Sequence, residues 1–164
     1  MACPLVFSST APNFWRMTDA IHIVCGQCNS VARVPTNRLQ DSPKCAKCHA
    51  PLFAGKPIGL TTAAFDQHVT RNDLPLVVDF WAPWCGPCRM MEPHYERVSA
   101  QFEHYARFAK VNSDVEPQLS ARFQIRGIPT LIAFKGGREV ARQSGAMDSN
   151  TLTRWLQSSG VLAT

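Results

Sequence analysis

The chain has 164 residues, 45% of them hydrophobic and 18% charged, a globular composition that excludes the weakly hydrophobic, highly charged class of disordered chains. No apolar run approaches the roughly 20 residues that span a bilayer, which excludes a membrane-spanning helix. The net charge of +5 is spread out, with five Lys and Arg against two Asp and Glu over residues 1–54 and twelve against ten over residues 55–164, so charge does not indicate nucleic-acid or membrane binding.

The first 18 residues show no hydrophobic periodicity and contain Ser, Thr, Pro and Asn, so we predict a disordered leader over residues 1–18. No basic segment precedes the short apolar stretch Leu5–Phe7, unlike in a secretory signal peptide. The sequence therefore predicts a cytoplasmic protein in a reducing compartment. Met17 offers an alternative translation start, in which case Cys3 would not belong to the cellular protein.

The next segment, residues 19–54, contains two C-x-x-C pairs separated by sixteen residues. We call their four members the cysteine quartet: Cys25, Cys28, Cys45 and Cys48. This spacing is typical of a zinc site in which two tight turns direct four thiolates at one ion. Such a closed site predicts a structural zinc, whose binding would also help so short a segment to fold. Two disulfides are the alternative interpretation, and His49 is a further candidate ligand.

From residue 55 to the C-terminus, strand and helix patterns alternate in the order βαβαβαββα, which predicts an α/β domain with a mixed sheet. The predicted strands are 58–60, 74–81, 108–112, 129–134 and 139–143, and the predicted helices are 61–70, 86–104, 115–123 and a last one capped by Ser149. The strand 74–81 is apolar almost throughout, as in strands buried on both faces. We therefore divide the chain into the leader 1–18, a zinc-binding module over 19–54 and an α/β domain over 55–164.

A third C-x-x-C pair, Cys85 and Cys88, follows the apolar strand and opens the long helix. The positive end of the helix dipole favours a thiolate at Cys85. Gly86 permits the sharp turn, and Pro87 suits the first helical turn, where its missing N–H has no cost. We predict an exposed Cys85 that attacks a disulfide and a shielded Cys88, one turn into the helix, that resolves the intermediate.

Several motifs of the α/β domain resemble those of thioredoxins. The segment Ala82–Arg89, APWCGPCR, preceded by Val78–Trp81, resembles the family's active site, and Gly127–Thr130 resembles its cis-proline loop. Further matches are Asp79, Pro93, Lys110 and Gly145. Together with the cysteine quartet, residues 19–164 resemble the zinc-containing members of the family, whereas the leader is not explained by the resemblance.

The resemblance implies a thioredoxin fold and a protein-disulfide reductase. Cys85 would be the nucleophile and Cys88 the resolving thiol, while Asp79 would exchange a proton with Cys88 and Lys110 would tune Asp79. The implied substrate-binding residues are Trp84, Gly86, Pro87, Ile128, Pro129 and Gly145. A cis bond at Pro129 would place the backbone before it to pair with an extended substrate segment.

The resemblance also implies partners and cofactors. Thioredoxin reductase would recharge the protein with electrons from NADPH, and the clients would be oxidised proteins such as ribonucleotide reductase, peroxiredoxins and methionine sulfoxide reductases. One zinc ion and the redox-active disulfide are expected, with no bound organic cofactor. We expect a monomer with neither nucleic acid nor membrane as a partner. Two alternatives give the module the leading role, as a partner-binding platform or as an oxidative sensor that releases zinc.

Overall fold

A computed structural model of the protein describes residues 19–163. The predicted disordered leader and Cys3 lie outside these residues. The strands and helices are, in chain order, β1 (Ala20–Val24), β2 (Val31–Pro35), β3 (Ile58–Gly59), α1 (Thr62–Arg71), β4 (Leu76–Trp81), α2 (Gly86–Phe102), β5 (Arg107–Asn112), α3 (Pro117–Arg122), β6 (Thr130–Lys135), β7 (Arg138–Ser144) and α4 (Ser149–Ser158). None of these helices has the length and apolar composition needed to cross a bilayer.

The α/β domain is built on a five-stranded mixed sheet with the strand order β3–β5–β4–β6–β7. Strand β5 runs parallel to β3 and β4, whereas β6 runs antiparallel to β4 and β7. From β3 onwards the element order is βαβαβαββα, so the predicted order and the predicted fold class are confirmed.

The central strand β4 is buried on both faces, as its apolar sequence predicts. Val77 belongs to the cluster that packs against α2 and α4, whereas Val78 and Phe80 belong to the cluster that packs against α1 and α3. Since side chains alternate along a strand, Asp79 points to the same face as Val77, towards α2. A carboxyl group is thereby placed inside an apolar layer.

Two predicted boundaries of the α/β domain need correction. Strand β4 begins at Leu76 because Pro75 has no N–H to donate, and Leu74 instead packs on the hydrophobic cluster of the zinc-binding module. The last helix is capped by Asp148, whose side chain accepts the amide N–H of Thr151 at 2.7 Å, and not by Ser149. The other predicted boundaries lie within two residues of the observed ones.

The zinc-binding module consists of the antiparallel pair β1 and β2 and two C-x-x-C turns. Its small core contains Ile23, Val34 and Leu52 together with two cysteines of the quartet. So few apolar side chains fit the expectation that the module needs a further source of stability.

The module packs against the C-terminal end of α1. The Asn72 side chain accepts the Val24 amide N–H at 2.8 Å and donates to the His68 carbonyl at 2.9 Å. Beside it, the Asp73 carboxylate accepts the amide N–H of His22 at 2.7 Å. These contacts tie β1 to the helix and fix how the two units are oriented.

A buried arginine forms the second connection between the module and the α/β domain. Arg107 begins β5 and is 4% exposed, and its guanidinium donates to the carbonyl of Leu52 at 2.8 Å. A longer contact of 3.5 Å reaches the carbonyl of Val24, and the Phe53 ring lies 5.2 Å from the guanidinium carbon. Burial lowers the pKa of Arg107 to about 10, so the side chain stays charged near neutral pH.

Candidate redox and metal sites

The third cysteine pair lies at the N-terminus of α2, as predicted. Cys85 and Cys88 form a disulfide, with Cα atoms 5.3 Å apart. Cys85 is the N-cap of the helix, and its Sγ accepts the amide N–H of Cys88 at 3.2 Å. A sulfur that accepts a backbone N–H at the positive end of a helix dipole is stabilised as a thiolate.

The sequence predicts an exposed Cys85 and a shielded Cys88, but the two cysteines are almost equally buried. In the disulfide, Cys85 is 4% exposed and Cys88 is 3% exposed. The difference between them lies in access, because Cys85 lines a surface groove whereas Cys88, one turn inside α2, does not line it. Access to Cys85 through the groove therefore distinguishes the two residues better than their exposed fractions.

This groove, which we call the active-site groove, has a volume of about 450 Å³. Its walls are formed by Trp84, Cys85, Gly86, Pro87, Ser113, Ser120, Ile125, Arg126, Gly127 and Ile128. It thus brings together four of the six residues that the resemblance implies for substrate binding.

The other two implied substrate residues, Pro129 and Gly145, are not among the residues that line the groove. The peptide bond between Ile128 and Pro129 is cis, as predicted, and the Ile128 carbonyl oxygen lies 3.7 Å from Cys85 Sγ. Gly145 has a φ of 96° and donates its amide N–H to the Pro129 carbonyl at 2.9 Å. This bond supports the loop that carries Ile128.

Trp84 is held by a residue that the sequence analysis misses. The residue is 68% exposed, and its indole N–H donates to the Asp114 carboxylate, with oxygens at 3.0 and 3.2 Å. Asp114 follows β5 in the loop before α3, where acidic residues are common, so no sequence pattern identifies it. The bond fixes an exposed aromatic surface beside Cys85.

Asp79 is buried in β4, as the sequence predicts. The residue is 1% exposed, and its Oδ1 atom has no hydrogen-bond partner among residues 19–163. Burial raises the pKa of Asp79 to about 7, the ammonium group of Lys110 lowers it, and the carboxylate of Glu92 raises it. A carboxyl group that titrates near neutral pH can accept and return a proton under cellular conditions.

Lys110 lies beside Asp79 in the sheet but is paired with another residue. The two occupy partner positions on the parallel strands β4 and β5. The Lys110 ammonium forms an ion pair with the Glu92 carboxylate of α2 and lies 4.3 Å from the centre of the Trp81 ring. Glu92 is thus a second charged group near Asp79 that sequence analysis does not identify.

The cysteine quartet forms a single cluster in which all four sulfurs lie within 4.8 Å of one another. The Sγ atoms of Cys25 and Cys48, and those of Cys28 and Cys45, are 3.6 Å apart. The edge of a tetrahedron with Zn–S bonds of about 2.3 Å is about 3.8 Å. The spacing therefore fits four ligands around one zinc ion, and all four cysteines are free of disulfides.

The surroundings of the quartet also favour metal binding. The Ser30 hydroxyl lies 2.9 Å from the sulfur of Cys28 and 3.2 Å from that of Cys45, and it lowers the pKa of both thiols, for Cys45 to about 6. The Ala50 amide lowers the pKa of Cys48, but burial and the neighbouring sulfurs raise it to about 12. Adjoining thiolates repel one another, so a divalent cation would allow all four to ionise.

Each C-x-x-C turn of the module is followed by a residue with positive φ. These residues are Asn29, with φ 61°, and His49, with φ 63°. His49 is exposed and stands outside the cluster of sulfurs, so the structure does not support it as a ligand. Asn29 instead faces α1, where its side-chain oxygen lies 3.0 Å from Nε2 of His68 and its carbonyl accepts from Gln67 at 2.6 Å.

Comparison with known proteins gives matches to both parts of the chain. A family model described as Thioredoxin matches residues 56–158, and one described as Thioredoxin 2, N-terminal, matches residues 24–50. Thioredoxin C-3 of Corynebacterium nephridii is 43% identical over 134 residues, which are 82% of this chain and 92% of the relative. Thioredoxin 1 of Nostoc sp. is 45% identical over 98 residues, 60% of this chain and 92% of the relative. Thioredoxin of Porphyra purpurea is 46% identical over 93 residues, 57% of this chain and 87% of the relative.

Proposed function

Since the chain belongs to the thioredoxin family and is a thiol–disulfide oxidoreductase, we propose that it reduces disulfides of client proteins in the cytoplasm. Its N-terminal segment matches the zinc ribbon of thioredoxin 2. The observation that carries the proposal is the Cys85–Cys88 pair at the start of α2, open to the active-site groove through Cys85. We further propose that the module spans residues 19–54 and the thioredoxin domain residues 55–164.

The proposed reaction has two exchange steps. The Cys85 thiolate attacks one sulfur of a client disulfide, forms a mixed disulfide and displaces the other client sulfur as a thiolate. The Cys88 thiolate then attacks the sulfur of Cys85, which forms the Cys85–Cys88 disulfide and releases the second client thiolate. Two electrons pass to the client, and Asp79 accepts the proton that Cys88 loses.

Client binding would use the active-site groove. The exposed face of Trp84 and the surface of Gly86 and Pro87 offer an apolar contact beside the reacting sulfur. The Ile128 backbone, supported by Pro129 and Gly145, would pair with an extended client segment around the disulfide. Such a site would contact the backbone and the local shape of the client segment, so it could bind clients of different sequence.

Reduction of the Cys85–Cys88 disulfide would complete the cycle. We propose thioredoxin reductase, with NADPH as the electron source, as the recharging partner. The proposed clients are oxidised proteins of the ribonucleotide reductase, peroxiredoxin and methionine sulfoxide reductase types. The proposed acting form is a monomer, because one chain contains both cysteines and the groove.

The reductase proposal is tested by exchanging single cysteines for serine. Cys85→Ser should lose insulin-disulfide reduction by at least about 1,000-fold, because a serine hydroxyl is not ionised at neutral pH and cannot attack a disulfide. Cys88→Ser should instead accumulate a mixed disulfide with the client, which gel electrophoresis detects. Cys3→Ser is the matched control and should keep wild-type activity. Activity retained in Cys85→Ser would contradict the proposal.

We propose that the cysteine quartet holds one structural zinc ion. Support comes from the sulfur spacing, the Ser30 contacts and the absence of an open ligand position in a four-thiolate site. Metal analysis should find one zinc per chain, and thiol alkylation should modify the four quartet cysteines only after a chelator is added. A preparation without zinc and with the quartet oxidised to disulfides would contradict this proposal. The platform and sensor roles of the module stay predictions.

A further inference from the structure

Glu92 is a charged residue of α2 that the proposed exchange steps do not use. It lies one helical turn after Cys88, and its side chain is 41% exposed at the end of an otherwise covered ion pair. Its partner Lys110 is only 15% exposed, because the ammonium group lies over the Trp81 ring and against Glu92. A lysine held on two sides in this way has a defined position in the site.

The charged groups around Asp79 can be named element by element. Helix α2 contributes Glu92 and the phenol of Tyr95, β5 contributes Lys110, and β6 places the apolar Leu131 opposite Asp79. Burial raises the pKa of Tyr95 well above its ordinary value, so the phenol stays neutral. Within residues 19–163, and with Cys88 in the disulfide, only the ammonium group and the carboxylate of the ion pair therefore bring net charge to Asp79.

We propose that Glu92 is a positioning residue that holds the Lys110 ammonium in an ion pair and thereby sets how readily Asp79 gives up a proton. In residues 19–163, Lys110 forms an ion pair with Glu92 and none with Asp79, although Lys110 and Asp79 are partners across the sheet. The inference rests on the proposed function, in which Asp79 exchanges a proton with Cys88.

The two charges of the pair act on Asp79 in opposite directions. The Lys110 cation favours the ionised carboxylate, whereas the Glu92 anion disfavours it and also keeps the cation engaged. Removing only the anion should leave Asp79 beside an unpaired cation. Removing only the cation should leave it beside an unpaired anion, with the opposite effect on its ionisation.

The inference is tested in the oxidised, zinc-loaded full chain, where Cys88 is in the disulfide and does not titrate. The Asp79 carboxyl is followed by its carbon NMR shift as a function of pH in the wild type, Glu92→Gln, Lys110→Met and the double variant. We expect the midpoint to move to lower pH in Glu92→Gln and to higher pH in Lys110→Met. The double variant should titrate between the two single variants, because both charges are then removed.

Glu96→Gln is the matched control, because Glu96 lies on the same helix, is exposed and forms no ion pair among the described residues. It removes the same charge and should leave the Asp79 midpoint unchanged. An unmoved midpoint in Glu92→Gln, or an equal shift in Glu96→Gln, would overturn the inference.

The pH profile of insulin-disulfide reduction separates this inference from the proposed function. A profile that shifts to lower pH together with the Asp79 midpoint in Glu92→Gln supports both. If the midpoint shifts and the profile does not, the effect of Glu92 on Asp79 is supported, and the proposed role of Asp79 in the exchange is contradicted.

Discussion

The carboxyl group of Asp79 lies inside the apolar core of the thioredoxin domain, where packing alone would call for an apolar side chain. Asp79 occupies a position in β4 where the alternation of the strand calls for an apolar side chain, and it has no partner for Oδ1 in the described part of the chain. Its burial could be predicted from the apolar sequence around it. The pairing of Lys110 with Glu92 could not, because it depends on where α2 crosses the sheet.

Asp79 makes the stability of the protein depend on pH. Burial raises its folded-state pKa to about 7, whereas the unfolded carboxyl titrates near its ordinary value of about 4. The stabilising contribution of the protonated form is therefore complete below about pH 4 and is lost as the pH rises through about 7. Asparagine cannot ionise, so Asp79→Asn should be more stable than the wild type by about 4 kcal/mol near pH 8.

Urea unfolding of the oxidised protein at a series of pH values measures this difference. The advantage of Asp79→Asn should shrink steadily below about pH 7 and vanish near pH 4. Asp66→Asn, at an exposed position of α1, is the control and should show no comparable trend. An advantage of Asp79→Asn that is independent of pH would contradict the assignment.

At the scale of single elements, the buried hydroxyl of Tyr95 fixes helix α2 to the sheet inside an apolar layer. The hydroxyl of Tyr95 lies 3.0 Å from the carbonyl of Val77 on β4 and 2.9 Å from that of Ala109 on β5. The helix that carries both redox cysteines is thereby aligned against the two central strands.

Tyr95→Phe should destabilise the protein by about 1 to 2 kcal/mol, because it removes the buried hydroxyl that donates to the strand carbonyls. The measurement is urea unfolding at neutral pH, where Tyr95 is neutral in both folded and unfolded states. The chain has only one other tyrosine, Tyr105, which is 59% exposed and gives the matched control Tyr105→Phe. Equal stability of the two variants would show that the Tyr95 hydroxyl contributes nothing.

The elements themselves were the most predictable part of the structure. Periodicity gives the order βαβαβαββα because buried faces repeat every two residues in strands and about every 3.6 in helices. The start of α4 was less predictable, since Asp148 and Ser149 are both good caps and only the backbone decides between them. The cysteine quartet was predictable because metal geometry restricts ligand spacing.

At the scale of the whole molecule, the module and the thioredoxin domain are joined by polar side chains that no sequence pattern reveals. Asn72 and Asp73 follow α1 and would be taken for an ordinary helix end. In the structure they bind the backbone of β1, and the 7% exposed Asn72 satisfies the Val24 amide next to Cys25. The cysteine quartet is thus attached to the domain at the residue before its first member, Cys25.

Asn72→Ala should weaken this attachment, because the buried Val24 N–H loses its acceptor. The expected cost is about 1 to 3 kcal/mol in the free energy of unfolding, together with faster hydrogen exchange at the Val24 amide. Asn150→Ala, at an exposed position of α4, should change neither quantity noticeably. Unchanged exchange at Val24 in Asn72→Ala would contradict the role of this bond.

The buried guanidinium of Arg107 makes the two units difficult to separate by truncation. A protein shortened to begin at residue 55 would lose both carbonyl acceptors of that cation and would expose Leu74, which the module now covers. An engineer who wants a free-standing minimal thioredoxin should therefore replace Arg107 and Leu74 in the same step. Conversely, transplanting the zinc ribbon onto another scaffold would require a host that offers a cation at the equivalent place.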